Sequence, residues 1–349
     1  MEIGIYTLAD LCRNPHTGEM ISARQRIREI VDAAKLADEA GLDLFGVGEH
    51  HRSEYAVSAP AVVLSSIAQV TKRIKLTSAT SVLNTLDPVR LFEDFATLDL
   101  LSDGRAEIIA GRGSFMESFS LFGYDVNQYD ELFEEHLELF LKLNAADKVT
   151  WSGRHRPALR HADIAPRPVQ ADIPVWVGVG NTTDSAARAG RFGTHLAIAI
   201  LGGDPYRFKP FVEVYREAAK QAGHLQEKLK VGVTGHMYVA KTTKQARREY
   251  APYYMNYWRE ISRQRGSDSH LTRADYEWMS APDTALFVGS SQQIVEKILH
   301  QHELFGHQRF IAQVDIGGIP FSKVADNIER LATEVAPAVR RATRKEQPC

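Results

Sequence analysis

The chain is 349 residues long, 44% apolar and 25% charged, with a formal net charge of −2. A protein of this size buries about three quarters of its unfolded surface, so it can build a large core without disulfide or metal staples. The balanced, interspersed charge excludes a nucleic-acid binder of the basic-stripe kind, and no apolar run approaches the ~20 residues of a membrane span.

The one basic cluster, Arg340, Arg341, Arg344 and Lys345, reads as a solvated helix end. Cys12 follows the first strand and Cys349 is the last residue, a placement that does not suggest a bridge. The N-terminus enters Ile3-Gly4-Ile5-Tyr6 with no basic or apolar leader, so a cytoplasmic protein is expected.

Along the chain, short β-branched runs alternate with amphipathic helical stretches, the pattern of a parallel α/β fold. Strands are expected at 3–7, 43–48, 74–80, 106–111, 175–179, 195–200, 231–239 and 309–315. Helices are expected near 24–40, 58–71, 88–102, 130–145, 182–192, 205–222, 242–262, 292–305 and 322–335. Gly41 stops the first helix and Pro88 opens the third, each where its backbone preference fits. The count of strands favours a closed (β/α)8 TIM barrel with insertions over an open doubly wound sheet, with 1–349 as one domain. Two segments, 146–174 and 263–290, exceed ordinary loop length; the second, holding Gly266, Ser267, Asp268 and Ser269, is the candidate lid over an active site.

A barrel of this type carries its site at the C-terminal strand ends. The second strand ends in Glu49-His50-His51-Arg52, near-neutral titratable groups suited to acid–base chemistry. In extended backbone, neighbours point to opposite faces, so only one of the two histidines should face the pocket. Both could equally be hydrogen-bonded structural histidines. A metal site is not indicated, since there is no His-Glu-x-x-His helix and no cysteine cluster.

The third strand ends in Ser78-Ala79-Thr80-Ser81, small side chains that would leave room for a planar ligand or fit a tight barrel layer. The fourth ends in Ala110-Gly111-Arg112-Gly113; an arginine between glycines suits a phosphate, though a surface turn would use it as readily. The fifth, Val175-Trp176-Val177-Gly178, runs through Val179, Gly180, Asn181, Thr182 and Thr183 into a helix start. That end is either an anion site or a plain capped helix.

Taken in order, these elements resemble the luciferase-like flavin monooxygenases. The likeness is densest over Glu49-His50-His51, Thr77 to Leu83, Asp87-Pro88-Val89-Arg90, Leu100 to Arg105, Gly111-Arg112-Gly113 and Leu121-Phe122-Gly123, and it extends to Pro174 to Gly178 and Gln313 to Gly318. The resemblance implies FMN as cofactor, reduced FMN and O2 as co-substrates, and an aldehyde-like small substrate. It makes His50 the catalytic histidine of the reduced flavin's oxygen chemistry and Arg112 the grip on the FMN phosphate. Glu49, Ala79 and Thr80 would lie at the flavin ring, with a non-prolyl cis bond between Ala79 and Thr80. Val177, Gly178, Val179, Gly180, Asn181, Thr182 and Thr183 would form the phosphate-side loop.

Two positions depart from that pattern. Gly111 replaces the family's reactive cysteine, and Asp130 falls where a second phosphate-side arginine is expected. No Gly-x-Gly-x-x-Gly dinucleotide fingerprint follows a strand, so a separate flavin reductase is expected as partner. A homodimer paired through the helices near 58–71 and 88–102 is a further implication. Two other readings stay open: deazaflavin-dependent hydride transfer on the same fold, and non-catalytic flavin binding.

Overall fold

The computed structural model describes residues 1–113, 115–268 and 270–344; Ser269, Lys345 and Cys349, noted above, lie outside them. Eight parallel strands close on themselves. They are β1 (Glu2–Thr7), β2 (Leu44–Val47), β3 (Lys75–Ser78), β4 (Ala106–Gly111), β5 (Val175–Val179), β6 (His195–Ala199), β7 (Val231–Ala240) and β8 (Arg309–Gln313). Each pairs with the next, and β8 returns to β1 in the register Glu2 with Arg309 through Tyr6 with Gln313. Helices pack around the outside, so the fold is the expected (β/α)8 barrel.

The local signals explain the ends of the elements. Ser22 accepts a hydrogen bond from the Gln25 N–H at 3.2 Å and starts the helix Ala23–Ala40, which Gly41 ends at φ 86°. Asp87 caps Pro88–Leu101 by accepting from the Val89 N–H at 2.9 Å. Among the described residues, no helix is long and apolar enough to cross a membrane.

Three expectations change. β3 stops at Ser78, two residues early, and the chain turns through a cis Ala79–Thr80 bond into a short strand, Ser81–Val82, that pairs with β4. Segment 146–174 is no open loop but folds an antiparallel hairpin from Lys148–Trp151 and Leu159–Asp163. The segment expected as a lid, 263–290, contains a helix, Arg273–Met279, and a strand, Phe287–Ser290, that pairs with β7. That helix starts with a reciprocal capping box between Thr272 and Asp275, a signal overlooked among the surrounding turn residues.

The N-terminal end of the barrel is plugged by charge. Arg309, 1% exposed, donates from Nε to Glu2 at 2.8 Å and from Nη2 to Glu107 at 3.1 Å, and its guanidinium lies 4.1 Å from the centre of a Trp176 ring. Lys75 completes the cluster at 2.7 Å from Glu2. Burial would push the Glu2 carboxyl up, but Arg309 and Lys75 outweigh it and hold it at about 2. Removing the guanidinium leaves Glu107 buried and short of partners, an arrangement that typically costs about 3–5 kcal/mol. Arg309→Ala should therefore lower unfolding free energy by about that amount in urea or guanidinium titrations; a loss of under about 1 kcal/mol would contradict the reading.

Candidate active site

At the opposite end, a cavity of about 720 Å³ opens over the C-terminal strand ends. The expected residues Glu49, His50, Ala79, Thr80, Arg112, Gly178, Val179, Gly180 and Asn181 all line it. Val177, Thr182 and Thr183 do not. Alternation along β5 turns Trp176 into the barrel and Val177 outward into the helix-facing core, where it is 2% exposed. Thr183 begins the following helix, and the Thr182 hydroxyl sits 2.7 Å from that of Ser185, which is the side chain that reaches the cavity.

One end of the cavity is aromatic and imidazole-bearing. The His50 ring stacks on Tyr55 at 3.9 Å and 20°, and Phe115 meets it edge-on at 5.8 Å. Burial, with His51 and Arg52 adding to it, pulls the His50 imidazolium down to about 3, so the ring is neutral around pH 7. His51 also lines the cavity, against the expectation that only one histidine could. Strand geometry ends at Val47, so the two-residue alternation no longer governs His50 and His51. His51 Nε2 lies 2.8 Å from Glu49 Oε1, while Glu49 Oε2 accepts from the Val82 N–H at 3.0 Å. Glu49 is thus a 4%-exposed brace between the end of β2 and the segment after the cis bond.

Between the two ends lies Thr80. A Cβ on Gly111 would stand 2.3 Å from Thr80 Oγ1, and one on Gly178 3.0 Å from Thr80 Cγ2. Any side chain at 111 would displace Thr80, which accounts physically for glycine at that position.

The other end is built for an anion. Arg112 donates from Nη2 to Ser185 Oγ at 2.7 Å, ion-pairs with Asp130 through Nη1, and lies 4.7 Å from the centre of the Tyr129 ring. The Tyr129 hydroxyl donates to the Gly113 carbonyl at 2.9 Å and holds that ring in place. Arg188 was not picked out in the sequence, and Ser185 stood there only among the helix-start residues after the fifth strand. Their spacing of three on one helix puts them on the same face, a signal that becomes readable only once Ser185 is known to face the site. Arg188 donates to Asp130 at 2.9 Å and to Glu134 at 2.6 Å.

The floor holds further residues the sequence reading missed. Tyr6, Gln313 and His236 are register neighbours on β1, β8 and β7, and all three line the cavity beside Tyr257 and Trp258. Thr234 and His236 are polar residues two apart in the apolar strand β7, the period of one face, and that was the available signal. Among the described residues, no group of three or more His, Cys, Asp or Glu side chains is placed to hold a metal ion.

Burial pulls five imidazoles, those of His50, His136, His195, His236 and His307, below their usual range. His50, His236 and His307 are pulled to about 3, and His195 to about 4. In the unfolded chain each would protonate near 6.5. The unfolded state therefore binds more protons between these limits, and the stability present above about pH 6.5 is lost as pH falls toward 3. Chemical denaturation at pH 7.5, 6, 5 and 4.5 should give a steadily falling midpoint; a flat profile would refute this.

A family model described as luciferase-like monooxygenase matches residues 1–308. The oxygenase component of a flavin-dependent trigonelline monooxygenase from Acinetobacter baylyi is 23% identical over 348 residues, covering 90% of this chain and 90% of that protein. Among solved structures, monooxygenase RslO1 from Streptomyces bottropensis aligns with a TM-score of 0.83 at 24% identity, over 97% of this chain and 99% of its own. The oxygenating constituent of 3,6-diketocamphane monooxygenase from Pseudomonas putida, solved in complex with FMN, gives 0.77 at 22% identity, over 97% and 98%. An F420-dependent secondary alcohol dehydrogenase gives 0.72 at 18% identity, over 97% and 99%. These three structures share the fold.

Proposed function

The chain belongs to the luciferase-like monooxygenase family, and we propose that it is an FMN-dependent monooxygenase: it takes reduced FMN and O2, acts on a small organic substrate of the aldehyde-like class, and receives reduced flavin from a separate reductase. One observation carries the reading: a single cavity has a guanidinium and a hydroxyl at one end and a neutral imidazole at the other, with aromatic walls between. FMN has that layout, an anionic tail and a flat ring.

The residues present fit the cofactor. Arg112 and Ser185 offer a charged and a neutral donor for a phosphate, and Gly178, Gly180 and Asn181 bring little side-chain bulk beside them. Thr80, Ala79 and Glu49 border the ring position. Reduced FMN, when bound, supplies the two electrons that let one oxygen atom enter the substrate while the other leaves as water.

His50 is neutral and packed between rings, so it begins the cycle with no imidazolium proton to donate, and it takes one up only when charge developing at the reacting centre raises its basicity. The walls formed by Tyr55, Phe115, Tyr257, Trp258 and Met279 keep water from the reacting centre. Met279 ends the helix of the segment first taken as a lid, and Arg265 from the same segment also lines the cavity. Support for a separate reductase comes from the Acinetobacter relative, which is named as an oxygenase component. A homodimer through the helices Pro60–Ala68 and Pro88–Leu101 belongs to the same proposal; Val62 and Leu101 there are 70% and 46% exposed. Light scattering tests it.

The F420-dependent neighbour favours one second reading, hydride transfer with a deazaflavin coenzyme. Absorbance titration separates the two: preference for deazaflavin over FMN removes the first proposal. Oxygen uptake with reduced FMN and an aldehyde panel distinguishes an enzyme from a flavin-binding protein, which would turn nothing over.

Two substitutions test the assigned roles. His50→Ala should keep FMN affinity and lose turnover by about 10²- to 10⁴-fold, the usual worth of a positioned proton-transfer group. Lost flavin affinity with turnover per bound flavin preserved would make His50 a binding residue instead. Arg112→Ala should weaken FMN by about 1–3 kcal/mol, the scale of a hydrogen bond to a charged group; unchanged affinity in calorimetry would put the phosphate elsewhere.

A further inference from the structure

At the anion end of the cavity, Arg112 already has a carboxylate partner. Asp130, in the first turn of the helix Tyr129–Ala145, ion-pairs with Arg112, and the same Oδ1 accepts from Arg188 Nη2 at 2.9 Å. One carboxylate oxygen thus bridges two guanidiniums, as a phosphate oxygen would. The three side chains differ in freedom. Arg188 is fixed, 8% exposed and tied to Glu134 at 2.6 Å. Arg112 is 22% exposed and held by Ser185 and the Tyr129 ring. Asp130 is 63% exposed, so it can turn into water without leaving a buried charge behind.

We propose that Asp130 is a built-in competitor for the phosphate of the cofactor, an affinity-setting residue that makes the flavin an exchangeable co-substrate rather than a resident group. The inference rests on the reading of Arg112 as the phosphate anchor. The charge count supports it. Around the site, Arg112, Arg188 and Arg191 face Asp130 and Glu134. A phosphate dianion added to this set leaves negative charge in excess; without the Asp130 charge the set balances. Binding therefore draws Arg112 away from Asp130, and flavin release returns it. An oxygenase supplied with reduced flavin from outside must bind and release that flavin in every turnover, and loose retention is what such exchange needs.

The other strong feature of the cavity, the pair of register neighbours His236 and Gln313, lies at the floor. It is independent of this inference.

The test compares FMN with riboflavin, which lacks the phosphate, in the wild type and in Asp130→Asn, a variant of the same shape at an exposed position. Fluorescence titration should show FMN held about tenfold or more tighter by Asp130→Asn, with riboflavin affinity unchanged. Stopped-flow release of FMN should slow in proportion. Thermal melting confirms that the variant is folded. If the wild type prefers FMN to riboflavin but Asp130→Asn leaves FMN affinity unchanged or weaker, the competitor role is overturned and the phosphate site stands. If neither the wild type nor Asp130→Asn distinguishes FMN from riboflavin, the phosphate site itself falls, and this inference with it.

Discussion

A closed parallel barrel has to fill its own interior, and here the filling stops one layer short of the C-terminal rim. Lower down, Trp176, Leu44, Ile109 and Ile311 pack the axis, and Arg309 lies against Trp176. Above them the wall positions shrink to Ala79, Gly111, Gly178, Ala197 and Ala199, all of which border the cavity. The hollow is thus a consequence of side-chain size at a few strand ends. Every chemical feature of the site depends on it, because the rim groups face space instead of a packed neighbour.

The two ends of the barrel treat charge oppositely. At the N-terminal end, Glu2, Lys75, Glu107 and Arg309 pair with one another, and these partners keep them charged against the cost of burial. At the C-terminal end, His50 and His236 have rings rather than carboxylates against them, and burial strips their charge. Desolvation is common to both ends; the presence of a partner decides its outcome. A buried imidazole with no carboxylate against it takes up a proton only when negative charge develops beside it.

Much of this was legible in the residues. The eight barrel strands follow from short β-branched runs set between amphipathic helical stretches, and the helix ends at Gly41 and Pro88 carry their own chemistry. His50, Arg112 and the Gly178–Asn181 turn were legible because they end strands, where a barrel places function. Val177, Thr182 and Thr183 were over-read: contiguity in sequence is no guide to facing, and Val177 points away because its neighbour Trp176 points in. The His51 orientation failed for the opposite reason, since the strand period was extended past the point where pairing stops. What stayed dark depends on register and long-range approach. Tyr6, Gln313 and His236 meet only because β1, β8 and β7 align at one level, and Arg188 meets Asp130 across 58 residues of sequence.

The rigidity of the site follows from a chain of short contacts joining its two ends. Glu49, next to the catalytic candidate His50, accepts from the Val82 N–H at 3.0 Å. Val82 belongs to the two-residue strand after the cis bond, and it pairs in register with Gly111. Gly111 is followed directly by Arg112, whose guanidinium is held on one side by Ser185 and on the other by Tyr129. The imidazole end and the guanidinium end are therefore set apart by backbone pairing and one buried carboxylate rather than by flexible loops. A spacing set in this way suits a ligand that is itself rigid over its reacting part, because neither partner then loses much freedom on binding. The most exposed member of the set is Asp130, at 63%, the carboxylate that pairs with Arg112.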